Sequence, residues 1–133
     1  MKKDYVNPAE LGAAPRAYSH AVTIAGPARL VYVSGQISLG ADGEVIGKGD
    51  MRRQCEQVFQ NLATVLRASG AGWGDVIKMN AYMVGMTDEN VALFREVRAR
   101  HLATGQVPAS TFVGIARLVR PELLIEVEVV AAL

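Results

Sequence analysis

Glycine and proline residues interrupt this chain at short intervals, so each segment between them is long enough for only one strand or one helix. Alternating apolar residues predict strands, and apolar residues three or four apart predict helices. The predicted strands cover residues 18–24, 30–37, 76–84, 110–118 and 123–131. The predicted helices run from a cap at Asp50 to about Ser69 and from a cap at Thr87 or Asp88 to about Leu102. Because Gly26-Pro27 separates the first two strands, we expect them to form a hairpin.

The order of these elements predicts an α+β fold, since strand and helix do not alternate regularly along the chain. In this fold a mixed sheet carries both helices on one face, which makes a two-layer sandwich. A chain of 133 residues, half of them apolar and a fifth charged, has the size and composition of a globular domain. We therefore expect one domain over residues 1–133, and its net charge of +1 selects no class of partner.

The only cysteine, Cys55, excludes a disulfide within the chain. It shares a helical stripe with Phe59, Leu62 and Leu66, so we expect it to be a buried core residue rather than a nucleophile. The N-terminal residues contain no apolar run typical of a secretory or transmembrane segment. These features predict a cytoplasmic protein.

Nucleotide-binding glycine motifs, zinc-ligand spacings and the serine-hydrolase elbow are all absent from the sequence. Nucleotide-binding, metal-binding and serine-hydrolase functions therefore lose their usual support. His20 and His101 have no partner ligand at a suitable spacing, which favours structural roles for both. Three arginines of the second helix are expected to lie on its solvated face: Arg95, Arg98 and Arg100.

The last strand has two different faces. Ile125, Val127 and Val129 can face the helices, which places Glu126 and Glu128 together on the opposite face. We expect Leu124, Val130 and Phe112 to lie on that opposite face as well, and likewise Tyr32, Ser34, Gln36, Lys78, Asn80 and Tyr82 from the other strands.

Apolar side chains on such a face contribute no burial free energy if only water covers them, and its glutamates are costly if buried without partners. A second subunit with a cleft between the protomers satisfies both requirements. A half-solvated sheet with ordinary surface glutamates remains the alternative.

Several segments, taken in order, resemble the Rid superfamily, the reactive intermediate deaminases once called YjgF. These segments are AYSHAV, LVYVSGQISLGADGEV, QVFQNLATVLRASGAGWGDVIKMNAYM, VPASTFVGIARL and LLIEVEVVA. The resemblance implies a chorismate-mutase-like α+β fold, a homotrimer, and small-molecule sites in the clefts between subunits. It also implies hydrolysis of enamines and imines to ketoacids and ammonia without a metal or organic cofactor.

In the active members of this family, an arginine two residues after a proline on the fourth predicted strand binds the substrate carboxylate. This chain reads Pro108-Ala109-Ser110-Thr111, so Ser110 occupies that position. Losing a bidentate pair removes on the order of 2 to 5 kcal/mol of binding, which favours a smaller, more apolar or uncharged ligand. Arg117 has the wrong strand parity and Arg120 lies in a turn, so we expect neither to replace the arginine, although a neighbouring subunit could bring another basic group.

The other family positions carry over by the same resemblance. Glu126 matches the glutamate that orients the attacking water, and Tyr18 matches a tyrosine that lines the cleft. Ser34 and Gly35 match a region of backbone contacts to the ligand. Phe112 replaces a residue that is often cysteine.

Three functions follow from the resemblance. The first is a Rid-like hydrolase of a small reactive nitrogen compound, with altered specificity. The second is a trimer that binds a small metabolite without turnover. The third, ribonuclease, ranks last because the sequence has neither a basic stripe with interleaved aromatics nor a histidine pair for acid-base cleavage.

Overall fold

The computed structural model describes residues 1–13, 15–102 and 105–133, and it has the predicted α+β fold. The strands are β1 (Lys2–Val6), β2 (Ala21–Ala25), β3 (Leu30–Ile37), β4 (Val76–Val84), β5 (Ala109–Ile115) and β6 (Ile125–Ala132). The helices are α1 (Met51–Ala68) and α2 (Asp88–Ala99). Within the described residues, no helix has both the length and the apolar character needed to cross a membrane.

The main sheet has the strand order β3-β6-β4-β5. Strand β6 is antiparallel to both of its neighbours, whereas β5 is parallel to β4, so the sheet is mixed. Side chains of both helices and of one sheet face form a common core. The opposite face of the sheet carries no helix of the described chain.

The predicted hairpin is wrong, because β2 pairs with β1 and β3 pairs with β6. Strand β1 has a charged sequence, KKDYV, whose period gives little sign of a strand. Residues before β2 run beside the start of β5 instead, where the Ser19 N–H donates to the Pro108 carbonyl at 3.1 Å. The Ser19 hydroxyl also donates to the Val107 carbonyl at 2.6 Å, which fixes this segment against β5.

Helix α1 begins where the sequence predicts. The Asp50 carboxylate accepts a hydrogen bond from the Arg53 N–H at 3.0 Å, as an N-cap does. The predicted stripe is confirmed as core, since Cys55 and the three residues that share its stripe are at most 1% exposed. Burial raises the pKa of Cys55 to about 12, which leaves the thiol protonated and unreactive at neutral pH.

Helix α2 begins after a cap at Thr87, as predicted, but it ends at Ala99 rather than near Leu102. Phe94 and Val97 are buried in the core. Arg98 is only 9% exposed, so the prediction that it lies on the solvated face is wrong. The physical reason is that Arg98 follows Phe94 by four residues and therefore shares its inward face.

Gln54 ties helix α1 to the chain that enters β6. Its side-chain nitrogen donates to the carbonyls of Gly47 and Glu122 at 3.1 and 2.8 Å, and its oxygen accepts from the Leu124 N–H at 2.8 Å. The Gln54 side chain is fully buried, so water could not reach these backbone groups and take over its hydrogen bonds. Gln54 therefore helps to set where β6 starts.

We expect Gln54→Leu to lower the free energy of unfolding by about 2 kcal/mol or more, because each buried polar group left unpaired costs about 1 to 3 kcal/mol. Urea unfolding at constant protein concentration measures this change. Gln60→Leu is the matched control, since Gln60 lies exposed on the same helix, and its effect should stay within about 0.5 kcal/mol. Equal effects of the two substitutions would contradict this role for Gln54.

Candidate functional site

The residues predicted from the family resemblance lie on both faces of the main sheet. Glu126 of β6 pairs with Tyr82 of β4, on the open face. Ser110 of β5 pairs with Met79 of β4, which is fully buried in the core. Because Met79 and Tyr82 have opposite parity on β4, Glu126 and Ser110 project from opposite faces.

Phe112 is also on the helix side, so the prediction that it lies on the open face is wrong. Its ring centroid is 4.6 Å from that of Phe94 on helix α2, and it pairs with the buried Ala81. The sequence correctly predicts that side chains of β5 alternate between the two faces of the sheet. Which set faces the helices depends on how β5 pairs with β4. The sequence of β5 alone does not contain that register.

A β-bulge interrupts the pairing of β3 with β6 between Val33 and Gln36. Beyond the bulge Gln36 pairs with Val127, so Gln36 shares the helix side, and its predicted place on the open face is wrong. Gly35 lies in the bulge and packs directly against Glu126. A Cβ atom at Gly35 would overlap Oε1 of Glu126 and would lie 2.8 Å from its Cδ, so only glycine leaves room for the carboxylate.

The two glutamates of β6 are in different environments. The Tyr82 hydroxyl and the Asn80 amide nitrogen donate to Oε1 of Glu128 at 2.6 and 3.1 Å. These hydrogen bonds lower the pKa of Glu128, since they favour the charged carboxylate. Burial, together with the charge of Glu128, raises the pKa of Glu126. Glu126 is therefore the carboxylate better suited to exchange a proton near neutral pH.

Three cavities are lined by predicted site residues: one on the open face, one on the helix side, and one of about 400 Å³ that Gly35 shares with residues of helix α1. The open-face pocket has a volume of about 290 Å³ and is lined by Tyr32, Ser34, Lys78, Asn80, Glu128 and Val130, among others. Its Asn80 Oδ1 is buried and has no hydrogen-bond partner in the part of the chain that the structure describes. Glu126 is not among the residues that line this pocket, although it is on the same face of the sheet and packs against Gly35.

The helix-side pocket has a volume of about 210 Å³ and is lined by Tyr18, Phe94, Arg95, Arg98, Ser110 and Phe112, together with Ala17. Tyr18 reaches it because Ser19 is hydrogen-bonded to the start of β5. The structure thus brings together Tyr18, Ser110 and Phe112, three of the predicted site residues. Arg95 and Arg98 were not among the predicted site residues. For Arg98 the sequence does contain a signal, since a residue four positions after the apolar Phe94 lies on the same face of the helix.

The two arginines that follow β5 do not line the helix-side pocket. Arg117 Nε donates to the Leu118 carbonyl at 3.2 Å, and Arg120 Nη1 donates to the Gly43 carbonyl at 3.1 Å. No cluster of three histidine, cysteine or acidic side chains within the described ranges has the geometry to hold a metal ion.

Comparison with known proteins places this fold in one class, a family of small α+β proteins. The sequence model of the family Endoribonuclease L-PSP matches residues 9–133. The crystal structure of the conserved Rid family protein YyfB from Yersinia pestis, a protein of unknown function, has a TM-score of 0.87 and 34% identity over all of both chains.

Two relatives give similar results. A RutC family protein of Pyrococcus abyssi is 31% identical over 114 residues, which span 86% of this chain and 84% of that protein. The 2-iminobutanoate/2-iminopropanoate deaminase of Dermatophagoides farinae is 32% identical over 101 residues, which span 76% of this chain and 74% of that protein. The chain belongs to the Endoribonuclease L-PSP family, the Rid or YjgF superfamily, as its sequence segments predict.

We expect Tyr82→Phe to raise the pKa of Glu128 toward its ordinary value, because the substitution removes the shorter of its two hydrogen bonds. Carboxyl ¹³C NMR titration of wild type and variant measures this pKa. In the wild type Glu128 should titrate at lower pH than Glu126, and the gap should narrow in the variant. Tyr32→Phe is the control, since it removes an exposed hydroxyl from the same face. A Glu128 titration that does not change would contradict this account.

Proposed function

We propose that this chain hydrolyses a small enamine or imine, with Glu126 positioning the attacking water and with an altered specificity that follows from Ser110. The observation that carries the proposal is the environment of Glu126. Burial raises the pKa of Glu126, the missing side chain of Gly35 leaves room for the Glu126 carboxylate itself, and hydrogen bonds from Tyr82 and Asn80 favour the charged state of the neighbouring Glu128. A family relative that is named as an imine deaminase supports the same chemistry.

The reaction needs one group that accepts and returns a proton. An enamine first tautomerises to its imine, and water then adds through its oxygen to the imine carbon while one of its protons moves to the Glu126 carboxylate. Glu126 returns a proton to the nitrogen. The hydroxyl proton of the resulting carbinolamine then moves to the nitrogen, again by way of the Glu126 carboxylate, while the carbon–nitrogen bond breaks, a carbonyl forms and ammonia leaves. The raised pKa of Glu126 brings it closer to the value at which these proton transfers are efficient.

The site also requires a second copy of the chain. Glu126, Gly35 and Ser34 belong to the open face, whereas Tyr18 and Ser110 line the helix-side pocket. One copy cannot present both sets to a single small ligand, because the sheet lies between them. A homotrimer, which the family resemblance implies, would place the open face of one copy against the helix-side pocket of the next.

We expect Glu126→Gln to lower the rate of ammonia release by about 100-fold or more, the scale of general acid–base catalysis. The substrates are aminoacrylate generated in situ and small imines without a carboxylate. Glu122→Gln is the matched control, since Glu122 is an exposed glutamate of the preceding turn, and it should keep the wild-type rate. Equal rates in Glu126→Gln and wild type, or no rate above buffer on either substrate class, would overturn the proposal.

The same assay should show a pH dependence that belongs to Glu126. Only the ionised carboxylate accepts a proton from water, so the rate should fall as the pH is lowered through the pKa of Glu126. Because burial raises that pKa, the fall should begin at a higher pH than an ordinary glutamate would give. A rate that stays constant down to the ordinary glutamate range would contradict a role for Glu126 as base.

We expect Gly35→Ala to reduce turnover by about tenfold or more, because the new methyl group overlaps the Glu126 carboxylate and displaces it. Gly74→Ala is the matched control, since a Cβ atom at Gly74 meets no atom within 4 Å. Steady-state kinetics and thermal melting of both variants separate a displaced carboxylate from general destabilisation. Wild-type kinetics in Gly35→Ala would contradict this positioning of Glu126.

A second function is favoured by one observation, namely the serine at position 110 in place of the carboxylate-binding arginine of active family members. A trimer with this site can bind a small metabolite in a regulatory or sequestering role without turnover. Ligand-induced thermal stabilisation with no product formed from any imine would favour this function over hydrolysis.

A further inference from the structure

Arg98 gives the helix-side pocket a cation that the sequence of β5 does not supply. It lies on the inward face of helix α2, four residues after Phe94, and is 9% exposed. Its side chain lines the same cavity as Ser110, the residue that occupies the position of the family arginine. An arginine of the helix therefore lines the pocket in which the strand carries serine instead of arginine.

Arg98 has no anionic partner within the chain as described. Two exposed arginines do have one, since Arg52 and Arg100 pair with Glu96 at 3.1 and 3.4 Å. Arg53, Arg67 and Arg95 are exposed to water and form no ion pair among the described residues. No side-chain hydrogen bond or ion pair among the described residues involves Arg98. Burial, together with the neighbouring charge of Arg95, lowers the pKa of Arg98, so its surroundings disfavour the cation.

Such an arrangement is costly in a folded protein, because a largely buried guanidinium loses part of its hydration and gains no charge partner in return. Two arginines that line one cavity also repel each other. A bound anion would remove both costs, since a guanidinium group binds a carboxylate through two parallel hydrogen bonds. The walls formed by Phe94 and Phe112 exclude water and would strengthen that attraction.

We propose that Arg98 binds the carboxylate of the ligand in the helix-side pocket, with Arg95 as a second cation, and so replaces the strand arginine. The inference rests on the proposed function for the identity of the ligand, a small 2-imino acid. It differs from the expectation of an uncharged ligand, because that expectation rests on the residues of β5 and of the turn after it, whereas Arg98 belongs to helix α2. It also explains Ser110, because an arginine there would add a third cation to a cavity of about 210 Å³.

The direct test is binding of 2-oxobutanoate, a stable carboxylate that corresponds to a hydrolysed 2-iminobutanoate, and of its uncharged amide. Calorimetry on the intact protein compares wild type with Arg98→Met, which keeps much of the side-chain volume and removes the charge. We expect Arg98→Met to weaken binding of the acid by at least about 30-fold, the lower end of the loss when a buried charge pair is broken. Binding of the amide should change by less than about threefold.

Arg100→Met is the matched control, since it removes an exposed arginine from the end of the same helix and should leave binding of the acid unchanged. Ser110→Arg combined with Arg98→Ser returns the cation to the strand and should restore binding of the acid relative to Arg98→Ser alone. The inference is overturned if Arg98→Met binds the acid like wild type, or if wild type does not bind the acid at millimolar concentration.

Thermal melting separates ligand binding from a purely structural role. If Arg98 is kept for the ligand, Arg98→Met without ligand should melt at the wild-type temperature or above, because the variant removes an unpaired buried charge. A lower melting temperature, with equal loss of acid and amide binding, would show a structural role and overturn the inference.

Turnover distinguishes this inference from the proposed function. If binding of the acid depends on Arg98 but no imine releases ammonia, the proposed hydrolase activity is overturned and the carboxylate site at Arg98 is supported. Conversely, ammonia release from a 2-imino acid that is unchanged in Arg98→Met would retain the hydrolase and overturn the role of Arg98.

Discussion

Strand β6 is the constraint on which the rest of the structure depends. It lies between β3 and β4, so its backbone hydrogen bonds are satisfied on both edges. Its Ile125, Val127 and Val129 are at most 2% exposed and form the floor of the core under the helices. The intervening residues must then face away from the helices, and a slip of one residue would exchange the two faces. The same alternation that buries the core therefore places Glu126 and Glu128 together.

The sheet also separates opposite charges. Glu126 and Glu128 lie on the open face, and Arg95 and Arg98 line the pocket on the helix side. Within one chain these groups cannot pair, so neither side neutralises the other. In the assembly that we propose, a ligand between two copies would meet a carboxylate from one and a guanidinium from the other. This separation keeps both groups available for a ligand.

Some features were accessible from sequence because they depend on local periodicity. The cap of α1, the buried stripe around Cys55 and the two faces of β6 are examples, since each depends on residues a few positions apart. The family was accessible because its short segments occur in a fixed order along the chain. By contrast, β1 was missed and the hairpin of β2 with β3 was wrong, because pairing partners far apart in sequence leave no local pattern.

The sequence by itself determined the order of the elements after β1, the alternation of side chains in β4, β5 and β6, the family, and the absence of an arginine at position 110. The tertiary structure decided which face of the sheet each alternating set of side chains occupies. The register of β5 with β4 places Phe112 on the helix side, and the bulge at Gly35 places Gln36 there. The tertiary structure also decided that Arg98 is buried beside Ser110 rather than solvated. Its spacing of four residues from Phe94 places Arg98 at the border of the apolar stripe, and the packing of α2 against β5 encloses the side chain there.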